Sequence, residues 1–196
     1  MRSPAQWFDD ASRLDLREEL DVATAEEVLD LLAGVPADVA VCINLGPETL
    51  VSERLPALLA DRELHRIVVE ITEHAPVKDY EALKAALRPY RDRGLRLAVD
   101  DAGAGYASLR HVLAVDPDLI KVDMALTRGA DSDLARRTLL AALAGFAQAT
   151  GCRIVAEGVE TEAELQTVAR CGIDLVQGYA LARPSTTPAW SGYAVV

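Results

Sequence analysis

The chain has 196 residues, 51% of them hydrophobic and 26% charged, which is enough for one well-buried core and too few for two ordinary domains. Thirty-one acidic residues against 20 basic ones give a formal net charge of -11, which repels nucleic-acid phosphates and anionic membrane surfaces, so neither is an expected partner. No apolar stretch approaches a membrane span or a signal sequence, and Cys42, Cys152 and Cys171, unevenly spaced in apolar surroundings, read as buried thiols of a reducing cytosol.

The elements follow one another as helix and strand. A helix is expected over 23–32, where Thr24 and Glu27 have the spacing of a capping box, and a strand over 39–44 that closes on Asn44. Next come a helix over 48–60, a strand over 67–70 closing on Glu70, and a helix over 79–93. The strand over 95–101 closes on Asp100 and Asp101, and that over 119–121 on Lys121. A helix over 131–150 leads to a strand over 154–157 that closes on Glu157. Finally a helix over 161–170, opening on Thr161 with Glu164 three residues later, leads to a strand over 175–177 that closes on Gln177. Gly94, Gly151 and Gly172 each separate a helix from the next strand, where a left-handed residue ends the helix. The tail over 184–196 loses the pattern and is expected to be irregular or to cap the domain. Most of the acidic excess is expected on solvated helix faces such as 18–21 and 26–30.

Six apolar runs thus recur at intervals of about twenty to thirty-five residues, each closing on an acid, an amide or a lysine. Strands apolar on both faces belong in a parallel sheet, and a polar residue at every carboxyl end favours a closed barrel over an open doubly wound sheet. The expected fold class is therefore an α/β barrel of the TIM type. Six strands are visible where a barrel needs eight, so roughly two strands and about fifty residues would lie upstream. The whole chain, 1–196, reads as a single domain shortened at its N-terminus.

The polar strand ends point to metal-assisted chemistry. Adjacent carboxylates at Asp100 and Asp101 can face two cations, and Gly103 and Gly105, which follow with Tyr106, let the backbone bend close to a ligand or partner. Glu70 closes an apolar run, where a buried glutamate is costly unless it is paired or metal-bound, whereas Glu73 reads equally as an exposed helix-start acid. The amide oxygen of Asn44 suits a hard cation. Lys121, inside an apolar run, is expected to face the site, where it would hold a water or offset transition-state charge; a plain salt bridge to Asp123 is the alternative. Glu157 and Gln177 complete the ring, each followed by a glycine, with Glu157 the best general-base candidate. His65, His74 and His111 lack ligand spacing and are expected as surface or capping residues. With no phosphate-binding loop, dinucleotide fingerprint or nucleophile elbow in the sequence, metal-assisted hydrolysis remains.

In order along the chain, Glu70-Ile71-Thr72-Glu73, Asp100-Asp101-Ala102-Gly103-Ala104-Gly105-Tyr106, Lys121-Val122-Asp123, Ala156-Glu157-Gly158-Val159-Glu160 and Gln177-Gly178-Tyr179 resemble the EAL-domain family. The resemblance runs from the first helix to Pro184. It implies a barrel-type phosphodiesterase that hydrolyses cyclic di-GMP to pGpG with two Mg²⁺ or Mn²⁺ ions. It further implies that Asn44, Glu70, Asp100, Asp101 and Glu157 surround the metals and that Lys121 and Gln177 place water beside them. Glu73 would anchor the glycine loop, Asp123 and Glu160 would support the site, and a homodimer or another protein partner is expected. The family's Glu-Ala-Leu motif, carried on an early strand, does not occur ahead of Asn44; Met1-Arg2-Ser3-Pro4 resembles the segment just downstream of it. A non-catalytic module that binds cyclic di-GMP or a protein is the alternative.

Overall fold

The structure is a computed structural model that describes residues 3–72, 76–103, 106–173 and 175–185. It comprises two compact units that divide between Arg96 and Leu97.

In the first unit, helix α1 (Pro4–Arg13) opens on Ser3, which forms a reciprocal capping box with Gln6, and α2 (Arg17–Asp30) follows directly. Strand β1 (Val41–Asn44), short helices α3 (Pro47–Leu50) and α4 (Leu55–Leu59), strand β2 (Ile67–Thr72) and helix α5 (Tyr80–Arg91) complete it. β1 and β2 are parallel, with Val41 opposite Ile67 and Asn44 opposite Glu70. Helix α2 lies against β1, and Leu29, Ile43, Leu50, Leu59, Ile67, Leu83 and Leu87 are buried.

Sequence expectations fail at several points in this unit. Helix α2 starts at Arg17, so Thr24 lies in its interior and its hydroxyl donates to the Leu20 carbonyl at 2.9 Å instead of capping. The continuous helix over 48–60 is two short ones, because Pro47 opens α3 and Pro56, which cannot donate into a preceding turn, sits at the start of α4. Asp21, assigned to a solvated face, has no exposed surface.

The second unit contains β3 (Arg96–Ala102), α6 (Tyr106–Val115), β4 (Leu119–Val122), α7 (Met124–Thr127), α8 (Leu134–Thr150), β5 (Arg153–Ala156), α9 (Glu162–Arg170) and β6 (Leu175–Val176). Its strands run parallel in the order β3-β4-β5-β6, and α6, α8 and α9 each span one of the three connections. Asp133 caps α8 through the amides of Ala135 and Arg136, and Thr161 with Glu164 forms the expected capping box on α9. Gly94, Gly151 and Gly172 all have positive φ, as helix termination requires. Leu140, Ala144 and Ala147 of α8 pack with Val122, Ile154, Ala156, Val168 and Ile173 in one buried cluster. Alternating helices and parallel strands in both units make the fold class α/β of the barrel type.

The cysteines are not the buried thiols expected: Cys42 is exposed, because β1 alternates and buries only Ile43 fully, while Cys152 and Cys171 are half-buried. His111, expected at the surface, is buried within α6. No helix among the described residues is long and apolar enough to cross a membrane. The expected irregular tail lies outside the described residues from 186 onward.

Candidate functional site

The second unit gathers four of the predicted residues at the carboxyl ends of β3, β4 and β5. Consecutive residues of a regular strand point to opposite faces, so Asp100 and Asp101 would normally diverge. From Val99 to Ala102 β3 advances three residues while β4 advances two, from Ile120 to Val122. This bulge, with Asp101 in the left-handed region at φ 55°, breaks the alternation. Aspartate tolerates that conformation better than a branched residue would. One oxygen each of Asp100, Asp101 and Glu157 consequently lie within 4.8 Å of one another.

Lys121 and Glu157 meet for a different reason. Lys121 is opposite Val155 in the parallel register, and Glu157, two residues past Val155, lies on the same face one step beyond the end of β5. The Lys121 ammonium reaches Glu157 Oε1 at 2.8 Å and Asp100 Oδ1 at 2.9 Å, with its own side chain 10% exposed. The salt bridge to Asp123 considered from the sequence is thus replaced by these two. Asp123 caps α7 by accepting from the Ala125 amide at 2.7 Å.

The backbone around Glu157 is held closely. The Glu157 amide donates to the Val122 carbonyl at 3.1 Å, and its carbonyl accepts from the Thr127 hydroxyl. At Gly158, φ is 64° and a Cβ would stand 2.4 Å from that of Met124, so only glycine fits. Gly103, at φ 106°, leaves as little room, 2.4 Å from Leu126 Cδ1. The Glu164 carboxylate accepts from the Gly129 amide at 2.9 Å, from Glu160 at 2.9 Å and from Thr161 at 3.0 Å. Burial opposes its charge, but these backbone donors outweigh that and hold its pKa below the usual carboxylate range. Glu160 pairs with Arg128. Gln177 is joined to the same strand end through its backbone, donating to the Ala156 carbonyl at 2.8 Å and accepting from Val159 at 3.2 Å, while its side chain is exposed.

In the first unit Asn44, at the end of β1, is the register partner of Glu70, which lies two residues before the end of β2 because that strand runs past the expected close at Glu70 to Thr72. Asn44 is exposed and Glu70 is 4% exposed, and the Glu70 carbonyl accepts from Leu45 at 3.2 Å. Glu73 and Gly105 lie outside the described residues, as does the side chain of Tyr106. Asp21, Thr127 and Glu164, which tie the loops beside these strand ends, were not singled out from the sequence as site residues. Only Glu164 left a signal there, as the third residue after a helix-capping threonine.

Three carboxylates offering hard oxygen donors in so small a volume fit a hard divalent cation such as Mg²⁺ or Mn²⁺. Beside them a lysine supplies a positive charge to acidic groups or to an anionic substrate.

The EAL domain family matches residues 1–184. Cyclic di-GMP phosphodiesterase PdeF of Escherichia coli is 28% identical over 191 residues, 93% of this chain and 26% of PdeF. The structure of Klebsiella pneumoniae BlrP1 in a manganese and cyclic di-GMP complex superposes with a TM-score of 0.81 at 29% identity, covering 93% of this chain and 48% of that one. A standalone EAL protein of Vibrio cholerae in its c-di-GMP-bound form gives 0.78 at 27% identity, covering 95% and 85%. The chain spans about a quarter of PdeF and about half of BlrP1. With a match over nearly all its length, and with its strand-end acids and lysine arranged as described, the chain belongs to the EAL-domain family.

Proposed function

We propose that the protein is a phosphodiesterase that hydrolyses cyclic di-GMP to pGpG with two divalent cations, Mg²⁺ or Mn²⁺, and that residues 1–196 are part of one EAL domain. The observation that carries this reading is the approach of Asp100, Asp101 and Glu157 to within 4.8 Å of one another beside the Lys121 ammonium.

In this reading Asp100, Asp101 and Glu157 hold the cations, and Asn44 and Glu70 keep the ligand role that the family resemblance gives them. The cations would supply Lewis-acid activation of the phosphodiester and of water, and stabilise charge on the entering and leaving oxygens. Glu157 accepts a proton from the attacking water, and Lys121 moves between its carboxylate partners and the developing anionic charge of the substrate. Gln177, exposed at the end of β6, donates through its amide to orient water. Gly103, Gly105, Tyr106 and Glu73 keep the loop roles that the family resemblance gives them, and Asp123 and Glu160 act as supports of the site. By family resemblance the acting form is a homodimer, and three cysteines that form no disulfide suit a reducing cytosol.

The test is release of pGpG from cyclic di-GMP by purified protein in Mn²⁺. Turnover that disappears in Glu157→Ala, with the fold retained, is the expected result. Tight binding of cyclic di-GMP without product would refute the hydrolytic reading and leave a binding module.

A further inference from the structure

Glu164 does more than cap a helix. A capping box requires only that its carboxylate accept from the Thr161 amide, yet the same side chain, 7% exposed, also reaches the amides of Glu160 and Gly129. Glu160 belongs to the loop that leaves Glu157, and Gly129 to the segment that follows Lys121 and α7. Thr127, with no exposed surface, joins the same two segments from the other side through the Glu157 carbonyl, and Gly158 packs on Met124. The two strand ends that carry Lys121 and Glu157 are therefore clamped together by a carboxylate that faces neither.

We propose that Glu164 is a positioning residue for cation binding: its carboxylate locks the 157–161 loop to the 127–130 segment and so fixes where the Glu157 carboxylate stands relative to Asp100, Asp101 and Lys121. The proposal rests on the reading of Glu157 as a cation ligand. Supporting groups that orient a metal ligand are worth about ten- to a hundredfold in metal affinity. A capping residue with only a structural part would lower the melting temperature and leave that affinity alone.

The experiment is calorimetric titration of Mn²⁺ into the full chain, well below the melting temperature of the weakest variant, for the native protein, Glu157→Ala, Glu164→Ala and Glu164→Gln. Expected are loss of binding in Glu157→Ala, about ten- to a hundredfold weaker binding in Glu164→Ala, and an intermediate loss in Glu164→Gln, whose amide keeps one accepting oxygen. Cyclic di-GMP turnover, measured in parallel, should fall in kcat more than it rises in KM. If Glu157→Ala loses Mn²⁺ and Glu164→Ala binds it within about twofold of the native protein, the positioning role is overturned and the ligand assignment stands. If Glu157→Ala also binds normally, the ligand assignment fails and the proposal falls with it. Should Glu164→Ala not fold, Glu164→Gln decides by the same twofold criterion.

Discussion

Replacing Lys121 with methionine tests the electrostatics of the site without opening a cavity, since the two side chains are similar in length. The ammonium contacts two carboxylates at 2.8 and 2.9 Å, whose side chains are 16% and 14% exposed. A single ion pair at 4 Å is worth about 4 kcal/mol near a protein surface, so the gross attraction here is larger, and desolvation of three charges offsets much of it. Removing the cation restores none of that desolvation and leaves Asp100, Asp101 and Glu157 to repel one another. Breaking a buried pair in this way costs about 3–5 kcal/mol. Urea unfolding of Lys121→Met in EDTA at low ionic strength should show that loss. Mn²⁺ at a hundredfold excess over its Kd should then return about 2.7 kcal/mol, because a bound cation supplies the missing charge. A loss below about 1 kcal/mol in EDTA, the value of an exposed pair, would refute the claim that Lys121 is the counter-charge of the acid cluster.

Two further outcomes follow from groups away from the cluster. The Asp21 carboxylate accepts from Arg17 Nε at 2.8 Å, the Gly46 amide at 2.7 Å and the Thr49 hydroxyl at 2.8 Å, joining α2 to the turn after Asn44. Asp21→Ala should cost about 3–5 kcal/mol in a urea titration, and a change within about 0.5 kcal/mol would show that these bonds are replaced by water. Burial, and after it the charge of Asp118, push the Cys152 thiol up to about 11. At pH 8 about one Cys152 in a thousand is then thiolate, against about one in four for an unperturbed thiol. Mass spectrometry after brief iodoacetamide treatment should find exposed Cys42 modified well before Cys152, with the Cys152 rate rising about tenfold per pH unit toward pH 11. Equal modification of the two at pH 8 would contradict this order.

The strand ends were legible because buried parallel strands tolerate a polar residue only where they open onto a site. Asp100, Asp101, Lys121 and Glu157, which the second unit brings together, were all picked out that way. Less legible was anything decided by backbone geometry. The Asp-Asp pair reads in sequence as two candidate ligands, but nothing in the letters specifies the bulge that turns both to one side. Proline gave a break in the 48–60 helix that periodicity alone overrode. Asp21 was hidden by its acidic neighbours Glu18 and Glu19, which pair with Arg54 while Asp21 binds the turn at Gly46. Glu164 was seen as a cap, and its bond to Gly129, 35 residues away, is a tertiary contact that no local pattern encodes.

The left-handed Asp101 also bears on how such a site can be lost. Two acids in a row on an ordinary strand point to opposite faces, so the carboxylate cluster depends on the bulge as much as on the letters. A descendant chain whose β3 straightened by deletion of one residue would keep the Asp-Asp signature while sending one carboxylate into the core or the wrong face. The pair would persist as a fossil, still matched by any motif search. The better marker of a working arrangement is the residue two places on: Gly103, held at φ 106° against Leu126, has no reason to remain glycine once the turn that needs it is gone.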